Sequence, residues 1–206
     1  MRQLAILGAS GHGKVVADTA EVCGWQNVLF FDDAWPTSDA NGPWPIVGTS
    51  VDLFNRLKEF TGVIVAIGNN TTRFAKLEAL ASSHAPLISL VHPQASVSRH
   101  ALLDVGSVVF AGAVINAGAV IGRGAIINTG CSVDHDCRLG EGVHVSPGAR
   151  LAGGVVVGDR SWVGIGATVR QLIRIGSNVT VGASSAVVRD VPDNLVVAGV
   201  PARTLR

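Results

Sequence analysis

Between Asn128 and Cys137 the chain reads N-T-G-C-S-V-D-H-D-C, and His135 sits there between two acids, Asp134 and Asp136. Imidazole titrates near ~6.5, so it can take a proton from an attacking amine or hydroxyl at working pH. A carboxylate beside it can hold one tautomer and stabilise the imidazolium that forms, as the acid does in a Ser-His-Asp triad. A solvated histidine on a polar edge would read the same way if it stood alone. His144 follows nine residues later and opens the hexad H-V-S-P-G-A. No serine or cysteine with an adjacent base argues for an acyl-enzyme. Cys131 and Cys137 fall where alanine or serine stands elsewhere and read as core filler.

These residues lie inside a long repeat. From Leu90 to Val191 the chain divides into seventeen hexads without an insertion, and the second slot of each is Val, Ile or Leu, from Val91 and Val97 to Val181 and Val187. The sixth slot is mostly Ala, Ser or Cys, and the third is often Gly, as at Gly122, Gly140 and Gly158. A six-residue period fits neither the 3.6 of a helix nor one flat strand. It fits short strands wound into a coil, an aliphatic side chain pointing to the axis on every face, with glycine where the chain bends. Such repeats cannot bury their faces alone and need stacked neighbours, the mark of a β-helix.

The first ninety residues have another pattern. The apolar strand Gln3 to Gly8 feeds into G-A-S-G-H-G-K and then a helical stretch from Val15 to Val22. Strand, glycine-rich turn and helix start make a phosphate-binding layout, because N–H groups at a helix N-terminus suit an anion. Gly8, Gly11 and Gly13 nearly match the dinucleotide fingerprint, and a tight turn would need glycine too. The next strand, Asn27 to Phe31, ends in Asp32-Asp33, where an acid commonly accepts ribose hydroxyls. Residues 34 to 45 read as loop, a helix is expected from Ser50 to about Phe60, and a third strand, Gly62 to Ile67, runs into Gly68-Asn69-Asn70. Thr71 to Ser83 reads as a further helix. The whole is a small parallel α/β unit, with Ser10–His12, Asp32–Asp33 and Gly68–Asn70 all at the carboxyl ends of its strands.

Composition excludes several classes. The 206 residues carry a net charge of about +1 with no basic run, so no nucleic-acid footprint is expected. No run of about eighteen apolar residues exists, so no membrane span is expected. The apolar run after Met1 is too short for a signal peptide. Three cysteines do not suggest a disulfide framework, which points to a reduced, cytoplasmic setting.

G-A-S-G-H-G-K, F-D-D, A-I-G-N-N, D-H-D-C, H-V-S-P-G-A, L-A-G and the closing G-V-P-A-R together resemble the PglD-type UDP-amino-sugar N-acetyltransferases over essentially the whole chain. These are hexapeptide-repeat acyltransferases, with NeuD-type sialic acid O-acetyltransferases as close relatives. The resemblance implies an α/β Rossmann-like domain over 1–89 and a left-handed parallel β-helix over 90–206. It implies eighteen residues per coil and a column roughly 27 Å tall, at strand spacing. It assigns UDP to Ser10, Gly11, His12, Asp32, Asp33 and Gly68, the catalytic base to His135, and its supporting acid to Asp136. It puts Asn128 and Asp134 in the sugar pocket, and His144, Gly153, Ile165 and Ala183 against acetyl-CoA, with no metal. At eighteen residues per coil, nine residues are half a turn, so His135 and His144 of one chain lie on different sides. Three chains side by side would bring them together, and a homotrimer with sites between subunits is expected. Trp162, one coil beyond His144, reads as interface packing. Four alternatives stay open: a sialic acid hydroxyl as acceptor, an amino-sugar on another nucleotide, a non-catalytic nucleotide-sugar-binding prism, and a zinc enzyme of the γ-carbonic-anhydrase type. The last needs three or four close ligands, and the histidine pair five residues apart that marks it is missing from this sequence.

Overall fold

The computed structural model describes residues 2–205; Met1 and Arg206, the outer ends of the two expected domains, lie outside it. The chain divides into two compact units after Pro93, where the sequence suggests a boundary after residue 89.

The first unit is built on three parallel strands, β1 (Gln3–Leu7), β2 (Asn27–Phe31) and β5 (Gly62–Val65), in the order β2-β1-β5. Leu4 to Leu7 of the central strand are buried on both faces, as a covered parallel strand requires. Helix α1 (Gly11–Val22) buries Gly13, Val16, Ala17 and Ala20, one stripe at helical spacing. The stretch expected to be loop contains a small hairpin, β3 (Ala40–Asn41) with β4 (Trp44–Pro45). The expected helix from Ser50 to Phe60 is α2 (Ser50–Asn55) followed by a separate 3-10 turn, Leu57–Glu59. Its N-cap is Thr49, because Asp52 completes a capping box there: the Asp52 carboxylate accepts the Thr49 N–H at 2.7 Å and the Asp52 N–H donates to Thr49 Oγ1 at 3.3 Å. Helix α3 (Asn70–Ser82) starts on Asn69, whose Oδ1 accepts the Thr72 N–H at 2.9 Å.

The second unit is a parallel solenoid of two-residue strands on three faces. One face stacks Ser96–Val97, Val114–Ile115, Ser132–Val133, Arg150–Leu151, Thr168–Val169 and Ala186–Val187. The second runs from Leu102–Leu103 to Arg174–Ile175, and the third carries Val108–Val109, Ile126–Ile127, His144–Val145, Trp162–Val163 and Thr180–Val181. Partners such as Ile115 and Val133 stand eighteen residues apart, one coil. From Val109 to Val187 every second-slot side chain is buried, with the small sixth-slot residues packed beside it. Val97 and Leu103 are half-buried, and Val91 lies outside this unit, 37% exposed. Where a sixth-slot serine is buried its hydroxyl is satisfied: Ser161 Oγ donates to the Gly176 carbonyl at 2.7 Å and accepts the Val179 N–H at 2.9 Å.

The glycines divide into two roles. The sequence suggests bends at the third slot, but the left-handed backbone lies at the fifth, in Gly112 (φ +69°) and its equivalents. Third-slot glycines answer to stacking instead. A Cβ on Gly122 would stand 2.7 Å from the carbonyl of Gly140 in the next coil. Gly122→Asn is therefore expected to lower stability by roughly 2–3 kcal/mol by forcing two coils apart. Gly112→Asn, an αL-tolerant residue with only ordinary contacts, is expected to stay within ~0.5 kcal/mol. Urea midpoints of the two variants check this, and equal losses would refute the assignment.

Candidate active site

His135 and Asp136 occupy the turn between the strands Ser132–Val133 and Arg138–Leu139, at a corner of the solenoid. Asp136 holds the left-handed conformation, φ +59°. That backbone turns its carboxylate onto the preceding ring, with His135 Nδ1 2.8 Å from Asp136 Oδ2. With Nδ1–H donated to the carboxylate, Nε2 carries the lone pair and is the basic atom. The Asp136 hydrogen bond, helped by the charges of Asp134 and Asp136, holds the imidazole above its ordinary pKa.

Each neighbour in the stack supports this pair. A Cβ on Gly153, one coil on, would strike the His135 ring at Nε2 and Cε1, and one on Gly118, one coil back, would meet the Asp136 carboxylate. Asp134 turns aside. Its Oδ1 accepts the His135 N–H at 2.7 Å and the Asn116 amide at 2.8 Å, and these bonds hold its pKa below the usual carboxylate range. Asp134 thus fixes the backbone of the base, while Asp136 fixes its ring.

His144 lies on the third face, opposite that corner. Its Nε2 is 3.1 Å from Asn128 Nδ2, and Asn128 Oδ1 accepts the Thr129 N–H at 2.8 Å, which sets the amide's orientation. The Trp162 ring stacks on His144 at 5.6 Å between centroids and 4° between planes, and its N–H donates to Ser146 Oγ at 2.6 Å. The expected interface tryptophan is thus part of the His144 arrangement. His144, Ser146, Trp162, Ile165, Gly182 and Ala183 line an apolar groove of about 450 Å³. Of the four residues expected at acetyl-CoA, His144, Ile165 and Ala183 meet in this groove, while Gly153 lies beneath His135.

In the first unit the three loops meet. Ala9 N–H, in the first, donates to Asp32 Oδ2 at 2.7 Å, and a Cβ on Gly8 would press on Ala66 and Ile67 at the third. Asp32, expected at ribose, also accepts the Ala34 N–H at 2.9 Å, so it ties loops together. Asp33 faces away, toward the Ser50 N–H at 2.8 Å and Lys76 at 3.8 Å, and the Ser50 bond lowers its pKa. Ser10 is the N-cap of α1, and beyond Gly11 there is open space. His12 is largely buried; burial first, then the Arg73 charge, pushes its pKa down to about 4, so it is neutral at pH 7. A neutral His12 offers no positive charge to an anion there, and the groups suited to one are the N–H groups at the start of α1, which lack intrahelical acceptors. Gly68 opens to solvent on one side, and the buried Arg73 grips its carbonyl at 3.1 Å and that of Ile67 at 3.0 Å.

Sequence reasoning misses Asn116, Ser146 and Arg73. Asn116 stands one coil before Asp134, so adding eighteen to each polar residue finds it. Arg73 has no local signal beyond its place three residues into α3.

Among the described residues no cluster of three or more His, Cys, Asp or Glu could hold a metal, and no helix is long and apolar enough to cross a membrane. Residues 3–80 match the PglD N-terminal domain, and 118–153 match the bacterial transferase hexapeptide repeats. The acetyltransferase domain of PglB from Neisseria gonorrhoeae FA1090, solved with acetyl coenzyme A, is 45% identical, covers 99% of both chains and superposes with a TM-score of 0.95. A histidine-to-asparagine variant of perosamine N-acetyltransferase from Caulobacter crescentus, solved with CoA and GDP-perosamine, is 40% identical over 100% of this chain and 98% of that one, TM-score 0.94. The UDP-N-acetylbacillosamine N-acetyltransferase of Bacillus subtilis (strain 168) is 38% identical over 114 residues, 54% of this chain. The chain spans about half the length of that curated relative, 52%.

The raised pKa of His135 has a kinetic consequence. A base works only when deprotonated, so kcat/KM should rise with pH through a limb lying above the ordinary ~6.5. Asp136→Asn should move that limb down toward ~6.5 and lower kcat/KM about a hundredfold. A pH–rate profile checks both, and an unmoved limb would count against the pairing.

Proposed function

The chain belongs to the PglD-type nucleotide-amino-sugar N-acetyltransferases, within the hexapeptide-repeat acyltransferases, and from that premise we propose that it acetylates the 4-amino group of a UDP-linked amino-sugar from acetyl-CoA. The observation that carries the reading is the 2.8 Å His135–Asp136 pair at an exposed corner, its basic nitrogen unencumbered by a side chain at Gly153. Both substrates bind together, and holding them in register supplies much of the rate. The sugar nitrogen attacks the thioester carbonyl. An N–C bond forms, the C–S bond breaks, His135 Nε2 takes the proton from nitrogen, and the departing CoA sulfur receives one. Asp136 stabilises the imidazolium in between. The perosamine relative was studied as a histidine variant with CoA and its nucleotide sugar, which supports a histidine in this role.

The nucleotide belongs at the first unit, on Ser10, Gly11, His12, Asp32 and Gly68, with Asp33 behind them; Asn128 and Asp134 would border the sugar. Acetyl-CoA belongs in the groove of His144, Ile165 and Ala183, with Gly153 at the thioester end. Because His135 and His144 face opposite sides of one solenoid, we assign the working unit to a homotrimer, in which the corner of one copy meets the groove of the next. We take it to act in the cytoplasm, where acetyl-CoA is available. A GDP-linked amino-sugar is the second reading, favoured by the GDP-perosamine bound to a relative 40% identical.

A free-thiol assay tests this. Purified protein and acetyl-CoA are offered UDP- and GDP-linked 4-amino-sugars and sialic acids in parallel. CoA release is expected with a nucleotide amino-sugar, and release with sialic acid alone would overturn the acceptor. His135→Ala should lose roughly 10²–10⁴-fold in kcat with the fold intact by circular dichroism.

A further inference from the structure

Leu172 combines two features that a folded chain does not keep without cause. Its backbone is left-handed, φ +62°, a conformation costly for a residue with a Cβ, and its side chain is 75% exposed. The other non-glycine residues holding this conformation in the described solenoid are Asp136, Arg160, Asn178, Ser184 and Asn194, all polar. An exposed leucine in a polar residue's conformation implies a use for an apolar side chain at that point.

Its place in the stack indicates which use. Gly118, Asp136, Gly154 and Leu172 follow one another at one-coil intervals along the same corner. The ladder binds them closely, with Gly154 N–H on the His135 carbonyl at 2.8 Å and Leu172 N–H on the Gly153 carbonyl at 3.0 Å. Leu172 folds back along this column: a Cβ on Gly154 would come within 2.7 Å of Leu172 Cδ2. Two coils, roughly 10 Å, separate its backbone from that of Asp136, and the isobutyl group reaches back into that interval.

The nine-residue step from His135 to His144 also leads from Leu172 to Val181, in the groove beside Gly182 and Ala183. A second copy that sets its His144 against His135 therefore sets the far part of its groove against Leu172. Trp162 and Ile165 on that side are 47% and 56% exposed, apolar surface awaiting an apolar ligand. We propose that Leu172 is the facing wall of the acetyl-CoA channel, given by one copy to the groove of the next, where it packs on the methylenes of the pantetheine arm and sets acetyl-CoA affinity. This rests on the shared-site reading above.

Leu172→Asn and Leu172→Gly, both suited to the left-handed backbone, test it in the full chain. Calorimetry measures acetyl-CoA binding, sedimentation the assembly, and steady-state kinetics the two KM values. The expected result is an unchanged trimer, a Tm no lower than wild type, and acetyl-CoA Kd and KM weakened about tenfold, with kcat and the nucleotide-sugar KM unchanged. Assembled variants that bind acetyl-CoA as wild type does would overturn the proposal, and so would dissociation to monomers, which would make Leu172 an assembly contact. A wild-type protein that binds no acetyl-CoA would bring down the shared-site reading itself, and this proposal with it.

Discussion

The second unit depends on one constraint: each coil must lie on the last at strand spacing, backbone hydrogen-bonded to backbone all the way round. Ser132 N–H on the Ala149 carbonyl at 3.0 Å and Val114 N–H on the Cys131 carbonyl at 3.0 Å are two rungs of that ladder. Stacking at ~4.8 Å leaves no room for a side chain wherever two coils cross closely, so residue and successor one coil on are chosen together. Gly122 against Gly140 shows it where two successive turns of the column cross.

The same constraint builds the dyad. His135 can lie flat at the corner because position 153 is glycine, and the Asp136 carboxylate has its place because position 118 is glycine. Asn116 reaches Asp134 because it stands directly one coil away. A rigid column then holds base and acid within hydrogen-bond distance without any packing over them, leaving the basic nitrogen open to substrate. Preorganisation of this kind comes from the stack beneath and costs nothing at the moment of reaction.

Much of this is legible in the residues and some is not. The aliphatic second slot predicts the axis-facing core, and adjacency alone predicts that His135 and Asp136 can pair. Three groove residues, His144, Ile165 and Ala183, follow from resemblance, and they do meet. What escapes is set by contacts between positions whose spacing the hexad does not display. Asn128 reaches His144 across sixteen residues, and Trp162 locks onto Ser146 across the same interval. The bend slot is misassigned because glycine serves two needs, a left-handed turn and a close crossing, and composition cannot separate them. In the first unit Asp32 also accepts two backbone N–H groups, a loop-tying role that its place after the second strand does not reveal. The hairpin at Ala40–Pro45 is hidden by three prolines that read as breakers.

The central claim is that a base on one copy serves a groove on the next, and subunit mixing tests it most directly. His135→Ala protein, with its groove intact, is co-refolded in equal amounts with Ala183→Trp protein, whose groove is filled but whose base is intact. A site shared between copies predicts one working site in every mixed trimer, so an equal, randomly assembled mixture recovers about a quarter of wild-type turnover, although each parent alone is inactive. No recovery in trimers verified as mixed would contradict the account and confine the chemistry to a single chain.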